Sequence, residues 1–141
     1  MRTFLQNKLW RDLMLDRLAQ EGSQFVWERL DDLPYDLALR SKLAEEAAEV
    51  AAAEDPEDLA EELADILEVV CALCEHHHFS FEQVRQIQEA KRLRNGSYSQ
   101  RIFIHTADHP VGSSGEAWCL AQPHKYPEVV NPPPSMVETT C

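Results

Sequence analysis

At 141 residues the chain has the length of one domain. Its 25 acidic and 13 basic side chains give a formal net charge of −12. That balance argues against binding a nucleic-acid polymer, which needs a basic surface to displace counterions. The hydrophobic content of 44% is enough for a core, and no apolar run approaches the ~20 residues of a membrane span.

The opening stretch, MRTFLQNKLWRDLMLDRLAQEG, is interrupted by charges and does not read as a signal peptide. A soluble, cytoplasmic protein that binds no membrane is the expectation. The four cysteines, Cys71, Cys74, Cys119 and Cys141, are then expected as free thiols. Cys71-x-x-Cys74 has zinc-like spacing, but it lies in an apolar helical run and has no second such pair, so both read as small core residues.

A short helix is expected over about residues 10–20, closed by Gly22. QFVWERL at 24–30 reads as a short extended piece. Residues 34–54 read as a long helix, with Pro34 in its first turn, Asp31 or Asp32 available as cap, and no breaker before Asp55-Pro56. Residues 56–78 read as a second long helix, capped by Asp55 and opened by Pro56. SFEQ at 80–83 has the form of a capping box and opens a third helix, which Asn95-Gly96 closes. RIFIH at 101–105 reads as a second extended piece. Beyond Thr106, repeated prolines and glycines are expected to break any regular element, with 131–141 as a flexible tail. The expected fold is all-α: a small helical bundle of two long antiparallel helices plus shorter ones, with an irregular C-terminal extension. The expected domain is 1–105 and the extension 106–141.

The acid-rich run EEAAEVAAAEDPEDLAEELAD at 45–65 crosses the connection between the two long helices. At about 100° per residue, Glu46 and Glu49 share a face with Leu39, Leu43, Val50 and Ala53. On the next helix Glu62 and Asp65 share a face with Leu59, Ile66, Val69 and Leu73. Each helix thus carries two acids, three residues apart, within its apolar stripe. The short connection makes the helices antiparallel neighbours and brings the two pairs to similar heights. Four such carboxylates repel one another and lose hydration. A hard divalent cation with oxygen ligands relieves both costs, most naturally Mg²⁺, with Mn²⁺ as the alternative. The competing reading is an ordinary solvated acidic face. Glu45 and Glu61 fit it, lying off the stripe centres, and Glu54, Glu57 and Asp58 belong to the helix ends.

Glu46-x-x-Glu49 followed by Glu62-x-x-Asp65 resembles the signature of the all-α nucleoside triphosphate pyrophosphatases, the superfamily of MazG, phosphoribosyl-ATP pyrophosphatase and the dimeric dUTPases. NKLWRD (7–12), RLDDLPYDLALRSKLAEEAAEV (29–50), EELADILEVV (61–70) and EAKRLRNGSYSQRIF (89–103) resemble its MazG-related, house-cleaning branch. The likeness spans about residues 7–105. The chain departs from that branch after the N-terminal block, reading LMLDRL where Ile-Pro is usual.

The resemblance implies Mg²⁺-dependent hydrolysis of a nucleoside triphosphate to the monophosphate and pyrophosphate, with Glu46, Glu49, Glu62 and Asp65 as metal ligands. A carboxylate not fully engaged by metal would act as general base: Glu49 is the first candidate and Glu46 the second. Lys91, Arg94 and Asn95 resemble the family's basic block and are expected to contact phosphates, joined by Arg101. Lys8, Arg11 and Asp12 match the branch's N-terminal block and are further candidates for substrate binding. Lys42, one turn before Glu46, reads equally as a structural counter-charge, and Glu68 as a residue beside the metal ligands. The superfamily implies a homodimer or homotetramer.

Three other readings stay open. Glu75-x-x-His78 has the form used in di-iron carboxylate bundles, although only one such motif is present. The chain could be a helical interaction module without catalysis. Within the enzyme reading, phosphoribosyl-ATP hydrolysis in histidine biosynthesis competes with general nucleotide clearance.

Overall fold

The computed structural model describes residues 1–129, so the tail expected at 131–141 lies outside the described residues. Among the described residues five helices follow in chain order: α1 (Asp12–Gln20), α2 (Asp32–Ala52), α3 (Pro56–His76), α4 (Phe81–Asn95) and α5 (Ser114–Leu120). Among the described residues no strand forms, and residues 24–30 and 101–105 are irregular. The fold is all-α, as the periodicity predicts. The chain divides into two compact units, Met1–Gly96 and a second that begins at Ser97.

Local chemistry sets the boundaries in the first unit. Asp55 caps α3, its Oδ1 accepting from the backbone N–H groups of Glu57 (3.0 Å) and Asp58 (2.9 Å), while Pro56 takes the first helical position. Asp31 is the N-cap of α2, but its side chain makes no capping hydrogen bond. Ser80 and Gln83 form a reciprocal capping box at the start of α4. Gly96 follows α4 at φ +81°, a conformation that suits glycine. Helices α2 and α3, joined by a short connection at residues 53–55, form the principal packed pair of the molecule.

The core of that pair is small. Leu39, Val69 and Cys74 are its buried apolar side chains, and one charged residue, Glu46, is buried with them at 3% exposure. Cys71 is only half-buried, so the pair of cysteines is not wholly a core feature; both are free thiols.

In the second unit the expectation of no regular element is corrected. Ser113 accepts from the backbone of Glu116 and Glu116 accepts from the backbone of Gly112 (2.6 Å), and these bonds start α5 among the glycines. Trp118 and Tyr126 pack on each other at 4.5 Å between ring centroids.

Candidate metal centre

Glu46 on α2 and Glu62 and Asp65 on α3 offer one carboxylate oxygen each within 4.8 Å of one another. A second acidic group, Glu45, Glu46 and Glu49, shares Glu46 with the first. The acids meet because α2 and α3 are antiparallel neighbours and the pairs sit at matching distances from the Asp55 turn.

Burial grades these side chains. Glu46 is in the core, Glu62 and Asp65 are half-buried, and Glu49 is exposed, further out than its place on the stripe predicts. Three residues along a helix turn a side chain about 60° from the stripe centre, which here is enough to reach the rim. Glu49 lies against the carboxylate of Glu46, and this contact holds its carboxyl above the usual range. Glu45 corrects the assignment to the outer face: it is half-buried and accepts from Lys8 Nζ at 2.7 Å and Lys42 Nζ at 3.1 Å. Lys8 is the main cause that lowers its carboxyl below the usual range.

Two oxygens decide whether the acids fit a cation. Oε2 of Glu46 and Oε2 of Glu62 are buried, one on each helix, and neither has a hydrogen-bond partner. An orphaned carboxylate oxygen is costly in a protein interior. With Asp65, these two carboxylates form an all-oxygen donor set that suits Mg²⁺ or Mn²⁺. Lys42 offsets part of the charge, its Nζ 2.5 Å from Oε1 of Glu46. Burial opposes the charge on Lys42, but Glu46 and Glu45 outweigh it and hold the ammonium above its ordinary pKa.

The N-terminal segment adds cations. Arg11 pairs with Asp65 and approaches Glu68 at 3.9 Å. Together with Lys8, Arg11 lines a groove of about 510 Å³ whose walls also include Glu46, Asp65, Trp10 and Tyr35. Asp12 opens α1 and accepts from the N–H of Leu13. Lys91, Arg94 and Asn95 occupy the last turns of α4, exposed, and among the described residues neither Lys91 nor Arg94 pairs with an acid; Arg94 donates to Asn95 at 3.3 Å. Arg101 belongs to the second unit, at φ +56°. His78 has left the helix at φ +60°, so Glu75 and His78 do not form a helical i,i+3 pair.

Two antiparallel helices with acids converging from both sides define an all-α domain built around a carboxylate centre. Residues 36–94 match the family model of the MazG nucleotide pyrophosphohydrolase domain, so this segment is MazG-like and nucleotide pyrophosphohydrolysis is the activity of its class. The matched segment holds Glu46, Glu49, Glu62, Asp65, Lys91 and Arg94. No curated protein and no solved structure matches the chain.

Proposed function

We propose that the protein is a Mg²⁺-dependent pyrophosphohydrolase of nucleoside triphosphates, acting on unwanted or modified ones. The observation that carries this reading is the pair of buried, partnerless oxygens on Glu46 and Glu62 within a MazG-like segment. Glu46, Glu49, Glu62 and Asp65 would hold the cation. When bound, it supplies charge neutralisation for the polyphosphate and a more acidic water.

The chain's own residues do the rest. Glu49, reachable from solvent and close to Glu46, takes the proton of the attacking water. Water adds to the α-phosphorus, the bond from that phosphorus to the bridging oxygen breaks, and monophosphate and pyrophosphate leave. Lys8 and Arg11 exchange their carboxylate partners for phosphate oxygens, and Lys91, Arg94 and Asn95 add further phosphate contacts. The aromatic side chains that line the groove, Trp10 and Tyr35, suit a nucleobase.

The small core supports self-association as a homodimer or homotetramer. Leu59, Leu63 and Leu67 repeat every four residues along α3 and all three are exposed, a stripe that a second copy would cover.

The test is a panel of standard and modified nucleoside triphosphates with Mg²⁺, assayed for pyrophosphate and orthophosphate. Pyrophosphate and monophosphate in equal amounts are expected. Orthophosphate as the sole primary product would sink the assignment of attack to the α-phosphorus. Phosphoribosyl-ATP belongs in the same panel, and its preferential turnover would move the substrate to histidine biosynthesis.

A further inference from the structure

A second group of metal-binding side chains stands at the opposite end of the α2–α3 hairpin. Asp36 lies in the first turns of α2, His76 is the last residue of α3, and His77 is its C-cap. Each offers a ligand atom within 4.8 Å of the others. Asp36 precedes Glu46 by ten residues on the same helix, which at 1.5 Å per residue separates the two groups by about 15 Å.

The three side chains are held in place. Nε of Arg40 donates to Oδ2 of Asp36 at 2.7 Å and its Nη2 to Oδ1 at 3.4 Å, and Oδ1 also shares a hydrogen bond of 2.6 Å with Nε2 of His77, whose proton an ion would replace. His76 meets the edge of Tyr35 at 5.2 Å between centroids, and His77 stacks on Phe79 at 6.2 Å and 18°. Asp36 and His76 are half-buried, while His77 is open to solvent and leaves a path for an ion. Arg40 thus anchors the carboxylate, and aromatic rings flank both imidazoles and limit their rotation.

We infer that Asp36, His76 and His77 form a second metal site, selective for a borderline divalent transition ion such as Zn²⁺ over Mg²⁺. The reason is donor chemistry: two imidazole nitrogens and one carboxylate suit Zn²⁺, Co²⁺ or Ni²⁺, whereas the Glu46 centre presents only oxygens. Three protein ligands leave a further position for water. The ion ties the start of α2 to the end of α3, the ends of the hairpin that the Asp55 turn leaves unjoined. This inference does not depend on the proposed hydrolase activity.

The test is a Co²⁺ titration of the chelator-treated full chain in excess Mg²⁺, followed by visible absorption, with Zn²⁺ displacement to confirm the site. One equivalent is expected to give visible d–d bands. His76→Ala, His77→Ala and Asp36→Asn are each expected to weaken binding by at least ~10-fold, while Glu62→Gln, Cys71→Ser and Cys74→Ser leave the bands in place. Imidazole signals in the unsubstituted protein give a readout free of folding effects: Zn²⁺ is expected to shift those of His76 and His77. The inference is overturned by unshifted His76 and His77 signals, or by Co²⁺ bands that survive loss of both histidines. Bands that disappear with the cysteine or Glu62 substitutions instead would overturn it as well.

Discussion

Nζ of Lys42 lies 2.5 Å from Oε1 of Glu46, the one charged side chain buried in the core among the described residues. The pair joins successive turns of α2 and leaves Oε2 of Glu46 without a hydrogen-bond partner, in a carboxylate within reach of Glu62 and Asp65. Lys42 therefore engages one oxygen of the carboxylate and leaves the other unoccupied. Lys42→Met would strand the buried charge. A loss of about 1–3 kcal/mol is expected in chelator, below the 3–5 kcal/mol of a fully buried pair because Lys42 is itself 24% exposed. Urea unfolding with and without Mg²⁺ checks this, and the deficit is expected to shrink when the cation is present.

Glu49 separates stability from chemistry. Its side chain is exposed, so Glu49→Gln is expected to change unfolding free energy by no more than about 0.5 kcal/mol. Turnover is expected to fall by roughly 10²–10⁴ if this carboxylate accepts the proton of water. Single-turnover kinetics on a nucleoside triphosphate decide the point. An undiminished rate would pass the role to Glu46.

Arg11 pairs with Asp65 and Glu68 while lining the same groove. If a triphosphate displaces those carboxylates, Arg11→Ala raises KM by about tenfold or more, the loss of a charge-assisted contact worth roughly 1.5–3 kcal/mol. Binding of Mn²⁺ in the absence of nucleotide is expected to hold or tighten, because Asp65 loses a competitor. Steady-state kinetics and a Mn²⁺ titration check the two halves separately.

The helices were legible in the sequence where their ends carry local chemistry. Asp55-Pro56, Ser80-x-x-Gln83 and Asn95-Gly96 place the ends of α3 and α4 within two residues. The start of α5 has comparable chemistry at Ser113 and Glu116, but the surrounding prolines and glycines masked it. Non-local contacts were not legible. Glu45 points away from the stripe centre, and its shorter ion pair is with Lys8, 37 residues earlier in the chain, a contact that periodicity does not report. His76 and His77 read as a helix terminus until Asp36, some forty residues earlier, is placed beside them. Periodicity reports which face a residue occupies, and chain crossings decide what that face meets.

Leu63 sits midway along the exposed leucine stripe of α3. If a second copy covers it, Leu63→Glu is expected to shift the protein to a smaller species and lower its stability, because the charge would be buried in the assembly. Sedimentation equilibrium across a range of concentrations measures the change. An unaltered mass would place the self-association surface elsewhere.

Arg40 gives a pH dependence whose sign follows from Asp36. The hydrogen bond from Arg40, with a further one from His77, holds the Asp36 carboxyl below its ordinary range. A carboxyl depressed in the folded chain stabilises it above the unfolded pKa of about 3.9, and the contribution is lost as pH falls through the depressed value. Arg40→Ala removes the larger cause, so the variant loses part of that stability near neutral pH and shows a shallower decline below about pH 4. Thermal midpoints in chelator, taken across the acid range for both proteins, are expected to converge as Asp36 protonates in each. Curves that run parallel instead would mean that Arg40 acts through packing and not through the charge of Asp36.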